Sequence, residues 1–159
     1  MQIQIDVGFG DAITPEAKTL EWPMPLDFPS VPLLAYCPET AIAEKLQAAV
    51  VLGTANSRMK DFYDIHWLSV HQAFSGKLLH TAIEATFERR GTDRPPEIPV
   101  ALTSAFHGLP DKQTQWSAFL RKSKLEPHDF AQTIQQISRF LVPVLLENVR
   151  HKHWHPAEG

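Results

Sequence analysis

Two stretches decide the fold: Glu39-Thr-Ala-Ile-Ala-Glu44-Lys45-Leu-Gln-Ala48 and Ser57-Arg58-Met59-Lys60-Asp61-Phe62-Tyr63-Asp64-Ile65. Each reads as a helix. Pro38 and Glu39 suit a first turn, and Gly53 suits an end. Asn56 or Ser57 can cap the second helix, which is expected to run to about Gln72. Met59, Phe62, Ile65 and Leu68 recur at three-residue steps and give it an apolar face. Asp61 and Asp64 then project from one side.

Upstream, residues 2–7 alternate, with Ile3, Ile5 and Val7 on one face and Asp6 on the other, as in a half-buried strand. A second short strand is expected near Thr19–Trp22. Pro23, Pro25, Pro29, Pro32 and Pro38 predict an extended connector with no stable helix. Downstream, helices are expected over 77–90 and 110–124. Another opens at Pro127 with Phe130, Ile134, Ile137, Leu141 and Leu145 on one stripe, and Pro143 should kink or divide it. The class is therefore α+β, mostly α: a short strand edge followed by a helical bundle. Residues 1–37 hold the sheet edge and connector, and residues 38–159 form one compact helical unit.

The 159 residues suffice for one real core. A net charge of -3 gives no global basic field to draw in nucleic acid, so any such contact needs a local patch. The single cysteine, Cys37, excludes an internal disulfide and a Cys-based zinc site. The longest apolar run, Phe140–Leu146, is too short to cross a bilayer, and the N-terminus lacks signal-peptide character. The expected location is the cytoplasm.

Five side chains could carry chemistry. Asp6 can ligate a hard cation such as Mg²⁺, or be an ordinary solvated strand residue. Lys45 sits among Ala41, Ile42, Ala48 and Ala49, so its stem packs while its ammonium reaches out. It can grip a triphosphate as a point charge or simply snorkel. Asp61 and Asp64 can orient a base or a substrate-binding lysine. Equally, Asp61 can serve the helix dipole and Asp64 can pair with Lys60. Arg58 is a candidate phosphate contact. His151, His153 and His155 alternate near the C-terminus and read as a frayed end rather than a metal site. Arg89 and Arg90 read as a solvated helix end, and Trp116 as helix packing.

The two helical motifs, the strand Ile3–Asp11 and the segment Ala85–Gly91 resemble the AbiEii/AbiGii family of nucleotidyltransferase toxins, essentially along the whole chain. The resemblance implies a polymerase-β-like nucleotidyltransferase sheet with a helical C-terminal region. It also implies transfer of a nucleotide from a nucleoside triphosphate (NTP), in some relatives onto tRNA, within a toxin–antitoxin or phage-defence system. By the same resemblance, Asp6 is the third strand carboxylate and a magnesium ligand, and Lys45 contacts the triphosphate. Asp61 and Asp64 are then the acids of a Lys-Asp-x-x-Asp motif, and a cognate antitoxin is a partner. The family's Gly/Ser nucleotide loop and Asp-x-Asp strand do not occur in these residues. The chain is accordingly expected to be the C-terminal portion of such an enzyme and inactive alone. The competing expectation is a non-catalytic interaction module that homodimerises through the edge at residues 2–7.

Overall fold

The computed structural model describes residue 10, residues 12–146 and residues 153–156. The strand expected over 2–7, Asp6 on it, and the dimer edge it would offer all lie outside these residues.

About 60% of the described residues are helical, and among them lie two small antiparallel two-stranded sheets, an α+β and mostly α class. β1 (Lys18–Trp22) pairs with β2 (Val31–Ala35), Leu20 opposite Leu33 and Trp22 opposite Val31. The proline-rich connector therefore contains a strand. Pro32 fits because a two-stranded hairpin has only edges, where a missing N–H costs nothing. The hairpin is almost wholly exposed; Cys37 Sγ donating to Glu16 O (3.2 Å) and Thr40 Oγ1 to Thr14 O (2.9 Å) tie its base to the helices.

The helices are α1 (Pro38–Leu52), α2 (Met59–His71), α3 (Gly76–Arg89), a short α4 (Ser104–His107), α5 (Pro110–Ser123) and α6 (Phe130–Leu146). α1 packs along α3 and α2 along α6. Gly53 ends α1 at φ 50°, a left-handed conformation that suits glycine. α2 begins later than Asn56 or Ser57, at Met59, because the buried Asn56 Oδ1 accepts from Arg58 N at 2.8 Å and turns the chain first. α6 starts at Phe130 rather than Pro127, where Asp129 Oδ1 accepts from Gln132 N at 2.8 Å.

Every residue of the expected α6 stripe is buried, and so are Met59, Phe62 and Ile65 of α2. Phe62, Phe106 and Phe130 meet at the centre, with ring centroids 5.4–6.0 Å apart. Trp116 is buried against Phe130 at 4.8 Å, a packing residue as expected. Pro143 does not divide α6. Arg94 donates from Nε to Leu145 O (2.5 Å) and from Nη2 to Val144 O (2.9 Å), satisfying carbonyls beyond the proline.

The reading of the tail as frayed is corrected at residues 153–156. β4 (His153–Trp154) pairs with β3 (Phe74–Ser75), Trp154 Nε1 donates to Ser69 O at 2.6 Å, and its ring meets Phe140 at 4.9 Å. An indole that buries its ring and satisfies its N–H anchors a terminus that composition alone marks as loose.

Truncating the central ring tests this core. Phe62→Ala should cost about 3–5 kcal/mol, lowering Tm by roughly 2–4 °C per kcal/mol in a chain of this size. Val51→Ala, at a position 61% exposed, should change stability by less than about 0.5 kcal/mol. Thermal and urea unfolding of both variants check this.

Candidate active site

The apolar face of α2 places the site. Phe62 and Ile65 turn to the core, so Asp61 and Asp64 emerge on the flank facing α1, where Lys45 projects after its alanine-lined stem. Lys45 Nζ lies 2.9 Å from Asp61 Oδ1 and 2.9 Å from Asp64 Oδ2. Arg58 Nε lies 2.6 Å from Asp61 Oδ2, and Lys60 Nζ lies 2.6 Å from Asp64 Oδ2. The Arg58 contact is a close charge pair without hydrogen-bond alignment, since Asp61 Oδ2 has no hydrogen-bond partner among the described residues. Lys45, Asp61, Asp64 and Arg58 thus converge on one point, and Asp6 lies outside the described residues.

Exposure decides which of these pairs has weight. The Lys60 side chain is 72% exposed, so its pair with Asp64 contributes under about 1 kcal/mol. Lys45 and Asp61 are 20% and 10% exposed, so breaking that pair strands a charge away from water. Burial, the largest influence on Lys45, disfavours its charge; the hydrogen bonds its ammonium donates to Asp64 and Asp61, with the charges of those carboxylates, together outweigh it and hold its pKa above 10.5. Lys45 is therefore fully cationic at neutral pH. Three cations face two carboxylates, leaving the group locally positive in a chain of net charge -3. Lys45 has three N–H donors, and these contacts use two.

A model of the nucleotidyl transferase AbiEii toxin, of type IV toxin–antitoxin systems, matches residues 1–138. The chain belongs to the AbiEii family. No curated protein and no solved structure matches it. The matched span contains the whole ion cluster, so in this AbiEii chain the motif residues of α1 and α2 are brought together in space.

Magnesium does not fit the described part of this candidate site. The Lys45 ammonium lies in the space between Asp61 and Asp64 that a divalent cation would need, and no group of three His, Cys, Asp or Glu among the described residues could hold a metal. Among the described residues, no helix is long and apolar enough to cross a membrane. Arg90 is no free anion patch: Nη1 donates to Gln47 Oε1 at 3.0 Å and Nη2 lies 3.8 Å from Glu44.

Sequence reasoning missed two parts of this region. One is the turn at Asn56, expected only as a helix cap, which aims Arg58 at Asp61. The other is a pair of histidines, His66 on α2 and His128 in the loop before α6, with ring centroids 4.6 Å apart. Burial first, then the charges of His128 and His71, pushes the His66 pKa down to about 4. Lys124 and Glu126 line the same cavity.

Two predictions follow from these charges. Asp61→Ala should cost about 3–5 kcal/mol, the range for cutting one partner from a shielded pair, and Lys60→Ala under about 1 kcal/mol; equilibrium unfolding distinguishes them. His66 takes up its proton in the unfolded chain near pH 6.5 but in the folded chain only near 4. Its contribution to stability is therefore lost as pH falls through that window, at up to about 1.4 kcal/mol per pH unit. Urea unfolding at a series of pH values should show the slope in the native chain and a shallower one in His66→Gln.

Proposed function

We propose that α1 and α2 form the triphosphate-binding part of a nucleotidyltransferase site. The observation that supports this best is the Lys45 ammonium, locked 2.9 Å from both Asp61 and Asp64 within a locally positive cluster. Asp61 and Asp64 act as positioning residues. They fix the rotamer of a long, flexible side chain, so its ordering entropy is lost on folding rather than on binding. An incoming triphosphate oxygen accepts from the remaining Lys45 N–H, and Arg58, 58% exposed, adds a second contact.

In the transfer, an acceptor hydroxyl bonds to the α-phosphorus, the bond to the β-phosphate bridging oxygen breaks, and pyrophosphate leaves. Lys45 and Arg58 offset the charge that accumulates on the departing phosphates. The hydroxyl proton passes to a carboxylate outside the described residues, for which Asp6 is our candidate. The acceptor in this reading is an RNA, the natural antagonist is a cognate antitoxin, and the working location is the cytoplasm. The chain divides at residue 37, with the hairpin part of the sheet-bearing unit and residues 38–159 its helical partner.

A second reading, a non-catalytic interaction module, draws on the hairpin. Leu20, Trp22, Val31 and Leu33 share one face and are 40–57% exposed, more apolar surface than a lone ribbon needs.

Transfer of label from α-labelled NTPs, measured with the protein expressed from its own gene, separates the two. Lys45→Ala should lower transfer by at least about 100-fold, the scale of losing one charge-stabilising donor, with Arg58→Ala intermediate. Transfer that survives Lys45→Ala removes the site assignment, and a soluble, folded protein with no transfer under any acceptor favours the interaction module.

A further inference from the structure

His66 and His128 meet in a cleft that the transfer reading leaves unused. His66 projects from α2, His128 from the loop before α6, and their rings are tilted by 32° at 4.6 Å. His66 Nδ1 and His128 Nε2 are shielded from solvent and have no hydrogen-bond partner among the described residues. Buried ring nitrogens without partners are costly, so this pair is set up to receive them from a bound molecule. The cleft has a volume of about 390 Å³, and Tyr63, Trp67, His71 and Pro127 complete its flat, mainly apolar walls. Trp67 is 44% exposed and stacks on His71 at 4.4 Å with only 17° between the planes. His71 is itself fixed, its Nδ1 2.7 Å from Trp67 O.

Helical spacing links this cleft to the ion cluster. Trp67 and His71 follow Asp64 on one stripe of α2, so the stacked pair begins about 5 Å along the axis from the carboxylate that holds Lys45. An aromatic platform one turn from a cationic cluster matches the two halves of a nucleotide.

We propose that this cleft binds a nucleobase, which stacks on the Trp67 ring while its polar edge pairs with the imidazoles of His66 and His128. A neutral imidazole offers one donor and one acceptor, the alternation a base edge presents. His66 stays neutral at pH 7, as such pairing requires. A metal is the less fitting ligand, because no group of three His, Cys, Asp or Glu among the described residues is placed to hold one. A phosphate is less fitting too, since Lys124 and Glu126 in the same cleft offset one another. The assignment of the ligand as a nucleotide's base rests on the transferase reading above; the geometry of the cleft does not.

The test is to titrate the full chain with ribonucleosides, which carry no phosphate and so cannot use Lys45. The readouts are the ring NMR signals of His66 and His128 and the intrinsic tryptophan fluorescence. We expect saturable shifts of both histidines and quenching. Trp67→Ala should weaken binding by about 10-fold or more, the scale of one lost base stack, Trp67→Phe should restore most of it, and His128→Gln should weaken it separately. A short single-stranded RNA that binds more tightly than any NTP would make the base the acceptor's; the reverse order would make it the donor's. Nucleoside binding without any nucleotide transfer would uphold the cleft and defeat the transferase reading. Transfer with no response of these histidines to nucleosides, NTPs or RNA would overturn the cleft. So would saturation of both histidine signals by stoichiometric Zn²⁺ alone.

Discussion

The ammonium of Lys45 is shared between two carboxylates on the neighbouring helix, and the geometry of the region follows from satisfying it. Water is largely excluded from Lys45 and Asp61, so neither charge tolerates separation. That constraint fixes the rotation of α2 about its axis relative to α1. With Asp61 and Asp64 turned toward α1, Phe62 and Ile65 must face the core, where the Phe62–Phe106–Phe130 cluster receives them. The ionic and apolar demands agree on one orientation. Such agreement across levels marks a sequence that specifies a single structure.

In the proposed function the same arrangement serves triphosphate binding. A lysine on four rotatable bonds is a poor anchor for an anion until something holds it. Two carboxylates hold Lys45 without cancelling the local positive balance, because Arg58 and Lys60 join from the start of α2. The Asn56 turn is what brings Arg58 there. Membership of the AbiEii family and this preset ammonium are independent observations, one from sequence similarity and one from geometry, and both bear on the same residues.

Where a single physical rule governs a segment, the sequence was a sound guide. The α6 stripe from Phe130 to Leu145 is buried throughout because a 3.6-residue period leaves one choice of face. The ends of α1 and α5 follow from Pro38, Gly53 and Pro110. Elements that depend on distant partners were not legible. β2 hides among prolines and exists through pairing with β1. His153–Trp154 dock because Ser69, Phe74 and Phe140 wait for them from three other segments. The site divides in the same way. The Lys60–Asp64 pair is readable from four-residue spacing, and Lys45, Asp61 and Asp64 are readable as candidates. Their convergence needs the α1–α2 packing, and the His66–His128 pair has no sequence signal at all.

The central claim is that Lys45 is held ready for a triphosphate. The most direct measurement is the ¹⁵N NMR signal of the Lys45 ammonium during titration of the full chain with a non-hydrolysable NTP. This account predicts a saturable shift of Lys45, with the solvent-exposed Lys60 moving little, and loss of the binding isotherm when Asp61 is replaced by Asn. A Lys45 signal that stays fixed while the nucleotide saturates other parts of the chain would contradict it.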